Sequence, residues 1–571
     1  MFFNGIFRIK IDLIKTVKSG QLESKAEGVT KMSLKEEEKA LEKLGAFEIS
    51  FKMLSLAKNN EKQNLFLNAG RGNPNWIQTI SRLAFARLVQ FGVQESKRTI
   101  DKNDLAGYTE QEGIRERLET FLEPNTNKED AFLEEAIQYA HTKLHIDEDE
   151  LVKEWVDGVI GNNYPVPSRV LKNAEIIINH YLCSTLYHHT PKKECLTKQT
   201  QLFPTEGGTA AITYIFHSLR ENHLIQAGDK IALNTPIFTP YIEIPELNDY
   251  RMIEIDVRST EENHWQISAD SIKQLEDPEI KAFFIVNPSN PGSMAFDDKA
   301  LEAVAEAVKK NPNLMIITDD VYGTFVDQFR SVYAVAPHNT ILVYSYSKLF
   351  GATGWRLGVI GMHEDNIFDQ LIAQLPADEK KELHQRYQQV VLDPDHMKFI
   401  DRMVADSRSI GLYHTSGLST PQQMMETLFS LAHLLNVEHD GQEMDHYIQE
   451  AKSIVATRYQ NLHDGLSLKG NNSRHNAKYY SLIDIYELAE TLYDAKFAQY
   501  LKTKFEQVDF LLELAKKNGV VLMDGVGFGS KPGVLRVSQA NLPDEDYKMI
   551  AHQVIELLDE YHQEYEASQN K

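Results

Sequence analysis

The chain has 571 residues, 42% hydrophobic and 25% charged, which is enough apolar material for a large core divided between at least two domains. Its formal net charge of -23 repels polyphosphates and anionic bilayers, so nucleic acid and membrane are not expected as partners, and any anionic ligand must be captured by particular arginines. Two cysteines, Cys183 and Cys195, give no disulfide framework and fit a reducing cytoplasm; His188, His189 and Cys195 match no common metal-site spacing, and no metal is expected.

From Met1 to Lys15 apolar and charged residues alternate, without the unbroken apolar centre of a secretory leader, and no run reaches the roughly 18 residues needed to cross a bilayer. Residues 1–32 are expected to be an N-terminal extension, with Met32 opening the folded chain. From Leu34 to about residue 60 leucines fall on one face of a charged helical pattern. The stretch 33–159 is assigned to the N-terminal part of a small domain. Within it, Leu65-Phe-Leu-Asn-Ala-Gly70-Arg71-Gly72-Asn73-Pro74 runs into a turn whose glycines leave the Arg71 guanidinium unshielded. Arg71 is thus a candidate anion receptor, with a plain structural turn as the competing assignment. An acidic helical pattern from 110 to 160 is broken by Gly161-Asn-Asn-Tyr164-Pro-Val-Pro167, whose prolines force an extended loop and single out Tyr164.

Between 200 and 345 short apolar strands alternate with helical stretches, the pattern of a mainly parallel sheet in an α/β fold. Glu206-Gly207-Gly208-Thr209 opens a helix whose free N–H groups suit phosphate. Asn234-Thr-Pro-Ile-Phe238 offers a ring for stacking, and Asn287-Pro-Ser-Asn290 offers amides. Asp319, at the end of an apolar strand, needs a pair, and a protonated pyridine nitrogen is a suitable one. In Tyr344-Ser345-Tyr-Ser347-Lys348, followed by Arg356 between glycines, an amine is presented beside hydroxyls and a guanidinium. That set suits a phosphorylated aldehyde. Residues 362–413 form a helical insertion, 441–466 a long amphipathic helix, and 477–485, 520–523 and 534–538 the strands of an α+β unit.

Glu206-Gly-Gly-Thr, Asn287-Pro-Ser-Asn-Pro, Asp319-Asp-Val-Tyr, Ser345-Tyr-Ser-Lys with Arg356, and Leu535-Arg536-Val-Ser follow one another in this order. In this the chain from about residue 35 onward resembles the aspartate aminotransferase superfamily (fold type I) of pyridoxal-phosphate enzymes. The segments Asn68 to Trp76 and Val156 to Pro167, together with the insertion, resemble the bacterial L-aspartate 4-decarboxylases. The resemblance implies an α/β fold with a mainly parallel sheet sandwiched by helices. Residues 160–440 would be the cofactor-binding large domain, and 441–571 the C-terminal part of the small domain. It implies pyridoxal 5'-phosphate joined to Lys348, which also shuttles a proton, with Asp319 on the ring nitrogen. Tyr322 and Asn290 would bond the phenolic oxygen and Phe238 would stack on the ring. Gly207, Gly208, Thr209, Ser345, Ser347 and Arg356 would hold the phosphate, which Tyr164 reaches from a neighbouring subunit. Arg536 would grip the substrate α-carboxylate.

The implied activity is conversion of L-aspartate to L-alanine and carbon dioxide, with minor aspartate aminotransfer. An aspartate or aromatic aminotransferase without decarboxylase activity is the alternative. A cofactor-binding transcription regulator would need a basic DNA-binding module, for which residues 1–60 are too short and too mixed in charge. A carboxylate β to a carbon doubly bonded to nitrogen departs as it does from a β-keto acid. Tight clamping of that carboxylate would favour the ground-state anion, so a lighter polar grip is expected, with Arg71, Arg408 and Thr415 as candidates. Homodimers assembled into larger homo-oligomers, a cytoplasmic location, and pyruvate and 2-oxoglutarate as co-substrates or regulators complete the expectation.

Overall fold

The computed structural model describes residues 46–61, 65–191, 193–256, 268–408, 417–441, 444–505 and 508–569. The expected extension 1–32, the first part of the charged helical pattern and Thr415 lie outside the described residues. The strands are β1 (Leu67–Asn68), β2 (Asp101–Lys102), β3 (Leu105–Ala106), β4 (Thr200–Thr205), β5 (Lys230–Thr235), β6 (Arg251–Asp256) and β7 (Ile280–Val286), followed by β8 (Met315–Asp319), β9 (Thr340–Ser345), β10 (Gly358–His363), β11 (Tyr480–Asp484), β12 (Val520–Val521), β13 (Met523–Asp524) and β14 (Val534–Ser538).

The larger sheet has the order β4-β10-β9-β8-β7-β5-β6. β10 is antiparallel to β4 and β9, and the other pairs are parallel. β8 and β9 are buried at every position, because helices cover both faces and leave no side for polar residues. The two faces can be read along β7. Ala282, Phe284 and Val286 enter a core with Phe216 of the helix Gly208–Glu221, while Ile280, Phe283 and Ile285 enter another with Leu301 and Val304 of the helix Asp298–Lys310. The α/β class read from the sequence is the one the chain adopts.

The helices Ile80–Lys97, Lys128–Leu144 and Glu148–Ile160 depart from the expected grouping. Leu88, Leu133, Trp155 and Val156 lie in the core of the larger sheet, packed through the helix Thr420–Asp440, and not with the second sheet. Of the stretch 33–159, the described helix Ala46–Lys58 joins the second core through Ile49, Met53 and Ala57. An amphipathic stripe states that a helix must bury one face; it does not say against which partner.

The second core lies beside two small sheets, β11-β14-β13, antiparallel, and β1-β12, parallel. The helix Asp509–Asn518 and the helix Asp546–Gln569 complete it. The inserted region is helical as expected, with Ile367–Ala373, Ala377–Tyr387 and Phe399–Ser407. It is anchored on the helix Gly208–Glu221: the buried Asp406 carboxylate accepts from Ser218 Oγ at 2.7 Å and from Tyr387 Oη at 2.9 Å.

Candidate active site

The parallel strands deliver their carboxyl ends to one edge of the larger sheet, where open α/β sheets bind ligands. β4 ends before Glu206 and Gly207, β5 before Phe238, β7 before Asn290, β8 at Asp319 and β9 before Lys348. There a cavity of about 540 Å³ is lined by Arg71, Gly72, Asn73, Gly208, Thr209, Phe238, Val286, Asn290, Asp319, Val321, Tyr322, Ser345, Ser347, Lys348, Thr353, Arg356, Tyr480 and Arg536. Its charged lining consists of Arg71, Lys348, Arg356 and Arg536 against the single carboxylate of Asp319, so a strongly acidic chain has built a cationic chamber.

Lys348 follows the strand end directly. Its Nζ donates to the Gly72 carbonyl at 3.1 Å, an acceptor shared with Tyr479 Oη at 2.9 Å. Residue 72 has to be glycine, because a Cβ there would collide with the Tyr480 hydroxyl and lie 3.4 Å from Lys348 Nζ.

Asp319 is 5% exposed and forms no ion pair among the described residues. Burial raises its pKa to about 7, opposed by a backbone N–H from Val321 at 3.3 Å and by the charge of Lys348. The buried Tyr241 hydroxyl stands nearby without reaching hydrogen-bond geometry. Asp320 beside it is also raised to about 7, chiefly by burial, although Thr318 Oγ1 donates to it at 2.5 Å. A buried carboxylate kept at this proton affinity is suited to a cationic partner supplied from outside the chain.

At one end of the cavity the helix Gly208–Glu221 begins without a side-chain cap, leaving its first N–H groups free of side-chain partners. Around that start stand Thr209, Ser345, Ser347 and Arg356. Ser345 Oγ lies 3.0 Å from Ser347 Oγ, and Arg356, in the left-handed region with φ of 57°, donates Nη1 to the Thr353 carbonyl at 2.8 Å. A Cβ on Gly207 would come within 2.6 Å of Arg356 Nη2, so this glycine shapes the cradle without lining it. Free N–H groups, hydroxyls and a guanidinium together make a receptor for a phosphate-like dianion.

At the other end Arg536, on β14 and 2% exposed, donates Nη1 to Asn290 Oδ1 at 3.0 Å and Nη2 to the Gly70 carbonyl at 2.7 Å. Its Nε, buried, has no hydrogen-bond partner among the described residues. The guanidinium stacks on Tyr480, 4.4 Å from the ring centroid, and on Phe528 at 4.7 Å. Tyr322 Oη is 2.8 Å from Tyr480 Oη, and burial raises the Tyr322 pKa well above its ordinary value.

Most of the residues singled out by sequence therefore meet in one chamber. Arg71 lies exposed at its mouth. Tyr164 does not line it and is 65% exposed on the loop before the helix Lys172–Leu186. Arg408 also does not line it; it is buried against that same loop, donating Nη2 to the Ser168 carbonyl at 2.9 Å. Sequence missed Gly72 as a carbonyl acceptor, and it missed Tyr480. The one available signal was the tandem Tyr479-Tyr480 at the start of β11, and both hydroxyls reach Gly72.

The family model described as aminotransferase class I and II matches residues 183–554. The chain is 41% identical over 533 residues to a bifunctional aspartate aminotransferase and L-aspartate beta-decarboxylase of Pseudomonas sp, covering 93% of this chain and 98% of that one. An asparagine–oxo-acid transaminase of Streptococcus mutans is 28% identical over 24% of this chain and 35% of its own. A Thermus thermophilus aspartate aminotransferase structure superposes with a TM-score of 0.56 at 15% identity, covering 93% of this chain and 100% of that one, a likeness of fold. The family match, the near full-length relative and the shared architecture agree with the resemblance carried by the motifs: the chain belongs to the class I and II aminotransferases.

Proposed function

We propose that this chain is an L-aspartate 4-decarboxylase that uses pyridoxal 5'-phosphate to convert L-aspartate to L-alanine and carbon dioxide, with aspartate aminotransfer as its minor reaction. The observation that carries the proposal is the convergence of Lys348, Asp319, Arg356 and Arg536 on one cationic cavity, in a chain aligned almost end to end with a relative named for both activities.

The cavity fits the cofactor in three respects. Gly207 and Gly72 let Arg356 and Tyr480 close in around the cavity, the uncapped helix start and Arg356 suit a phosphate, and Asp319, without an ion pair among the described residues, suits a ring cation. When bound, pyridoxal phosphate supplies an aldehyde that condenses with amines and a ring that withdraws electrons from the substrate α-carbon. Asp319 keeps a proton on the ring nitrogen. Thr209, Ser345, Ser347 and Arg356 anchor the phosphate, and Phe238 covers a ring face. Lys348 Nζ, released from the Gly72 carbonyl, moves a proton to and from the substrate. Arg536 orients the α-carboxylate with Nε and an Nη, and Arg71 at the mouth gives the departing carboxylate a solvent-exposed, loose grip.

Dimers within a larger homo-oligomer belong to the same proposal; exposed Tyr164 and Val166, on one loop, support a second copy packing there. So do pyruvate or 2-oxoglutarate as co-substrates or regulators and a cytoplasmic location. No helix among the described residues is long and apolar enough to cross a membrane.

The test is incubation of the purified, cofactor-loaded protein with L-aspartate alone. Many equivalents of carbon dioxide and alanine per site are expected. An aminotransferase would release no carbon dioxide and stop after one equivalent of oxaloacetate until a 2-oxo acid is added.

A further inference from the structure

Tyr480 lies on β11, in the second sheet, and reaches the cavity of the first. Its ring and hydroxyl make three contacts there. The ring carries the Arg536 guanidinium, the hydroxyl stands 2.8 Å from Tyr322 Oη, and the same hydroxyl fills the space above Gly72 next to Lys348 Nζ. Tyr322 and Tyr480 are 3% and 2% exposed.

A phenol carries one proton and can both donate and accept. Two phenols at this distance share one hydrogen bond, and whichever oxygen accepts it retains its own proton for another partner. The Tyr480 hydroxyl occupies the place that a Cβ on Gly72 would take, and among the described residues its hydrogen-bond partner is Tyr322. Tyr322 stands beside the cavity and faces whatever oxygen the ligand brings. The arrangement that uses both protons has Tyr480 donating to Tyr322 and Tyr322 donating inward; a chain of this kind strengthens its terminal donor.

We propose that Tyr480 is a positioning residue: by donating to Tyr322 Oη it aims the Tyr322 proton at the cofactor's phenolic oxygen and so lowers the proton affinity of the nitrogen that links Lys348 to the cofactor. This rests on the function proposed above. The phenolic oxygen and the linking nitrogen compete for one proton. A donor on the oxygen stabilises its negative charge most when that nitrogen is deprotonated, so a stronger donor lowers the nitrogen's proton affinity and a weaker one raises it.

The test is a visible-absorption pH titration of cofactor-loaded Tyr480→Phe. The variant keeps the ring under Arg536 and removes the hydroxyl. The titration midpoint is expected to rise by about half to one pH unit, the worth of one modest hydrogen bond. In a Tyr322→Phe background the same substitution is expected to move the midpoint by less than a third of that shift. An unmoved midpoint in Tyr480→Phe, or a full shift that persists without the Tyr322 hydroxyl, overturns the proposal while leaving the function intact. A wild-type protein with no visible band that borohydride abolishes overturns both.

Discussion

Asp319 shows how burial prepares a residue for a partner that the chain does not contain. A carboxyl held at about 7 in the folded protein keeps its proton to higher pH than in the unfolded chain. Its contribution is therefore whole below about pH 4 and is lost as the pH climbs through about 7, an effect of about 4 kcal/mol at most. Cofactor-free Asp319→Asn is accordingly expected to be more stable than cofactor-free wild type at pH 8, with the difference closing toward pH 4 in chemical denaturation. Adding cofactor at pH 8 should stabilise wild type more than the variant, because a ring cation repays the buried charge. Equal stabilities at pH 8 would refute the assignment. At this scale the sequence was informative wherever the residue sits at a strand end, because a polar side chain closing an apolar run has few structural excuses. Tyr480 escaped notice because a tyrosine on a strand passes for ordinary core, and Arg408 drew notice because a buried guanidinium that donates to a backbone carbonyl cannot be told from a ligand-binding one until the fold is known.

At the scale of elements, β10 was illegible for a physical reason. Gly358 and Gly361 weaken its strand signal, yet a Cβ at 358 would stand 2.7 Å from the Gly207 backbone. The glycine that obscures the strand is the one that lets it pack against the phosphate cradle. A second cluster concerns helices. His433 on the helix Thr420–Asp440 has Nδ1 2.7 Å from Asp445 Oδ2 and Nε2 2.9 Å from Ser184 Oγ. The set has the members of a hydrolytic relay, but Asp445 Oδ1 caps the next helix through the N–H groups of Tyr447 and Ile448. Ser184 also occupies the last turn of Lys172–Leu186, where the carbonyl end of a helix opposes a growing oxyanion. The cluster acts as a clamp joining three helices. His433→Ala is expected to cost about 3 kcal/mol, since it strips a partner from a buried carboxylate, and Ser184→Ala about 1 kcal/mol. Both should load cofactor and release carbon dioxide at near wild-type rates; a loss of turnover in Ser184→Ala with normal cofactor absorption would contradict the clamp.

At the scale of the whole molecule, the segment from Leu67 to Trp76 is threaded between the two cores. β1 pairs with β12, Ser538 N–H donates to the Ala69 carbonyl, and Trp76 Nε1 donates to the Leu349 carbonyl. Arg536 makes a second tie, from β14 to Asn290 beyond β7 and to Gly70 within that segment. A substrate carboxylate arriving at the bare Nε would add a charged bond to a residue that already spans both cores, so ligand binding should tighten their contact. A lysine at this position gathers its donors on one nitrogen and lacks the planar fork that reaches Asn290, Gly70 and a carboxylate in separate directions. In Arg536→Lys the KM for L-aspartate is expected to rise roughly 10- to 100-fold, the worth of one charge-assisted bond, with a smaller change in kcat. A non-reacting dicarboxylate such as succinate, at about 100 times its dissociation constant, should stabilise the wild-type holoenzyme by about 2.7 kcal/mol and raise its melting temperature. At the same concentration a 10- to 100-fold weaker affinity should leave Arg536→Lys stabilised by only about 0.4 to 1.4 kcal/mol. An equal thermal shift in both proteins would mean that the carboxylate is held elsewhere and that Arg536 serves only to join the two cores.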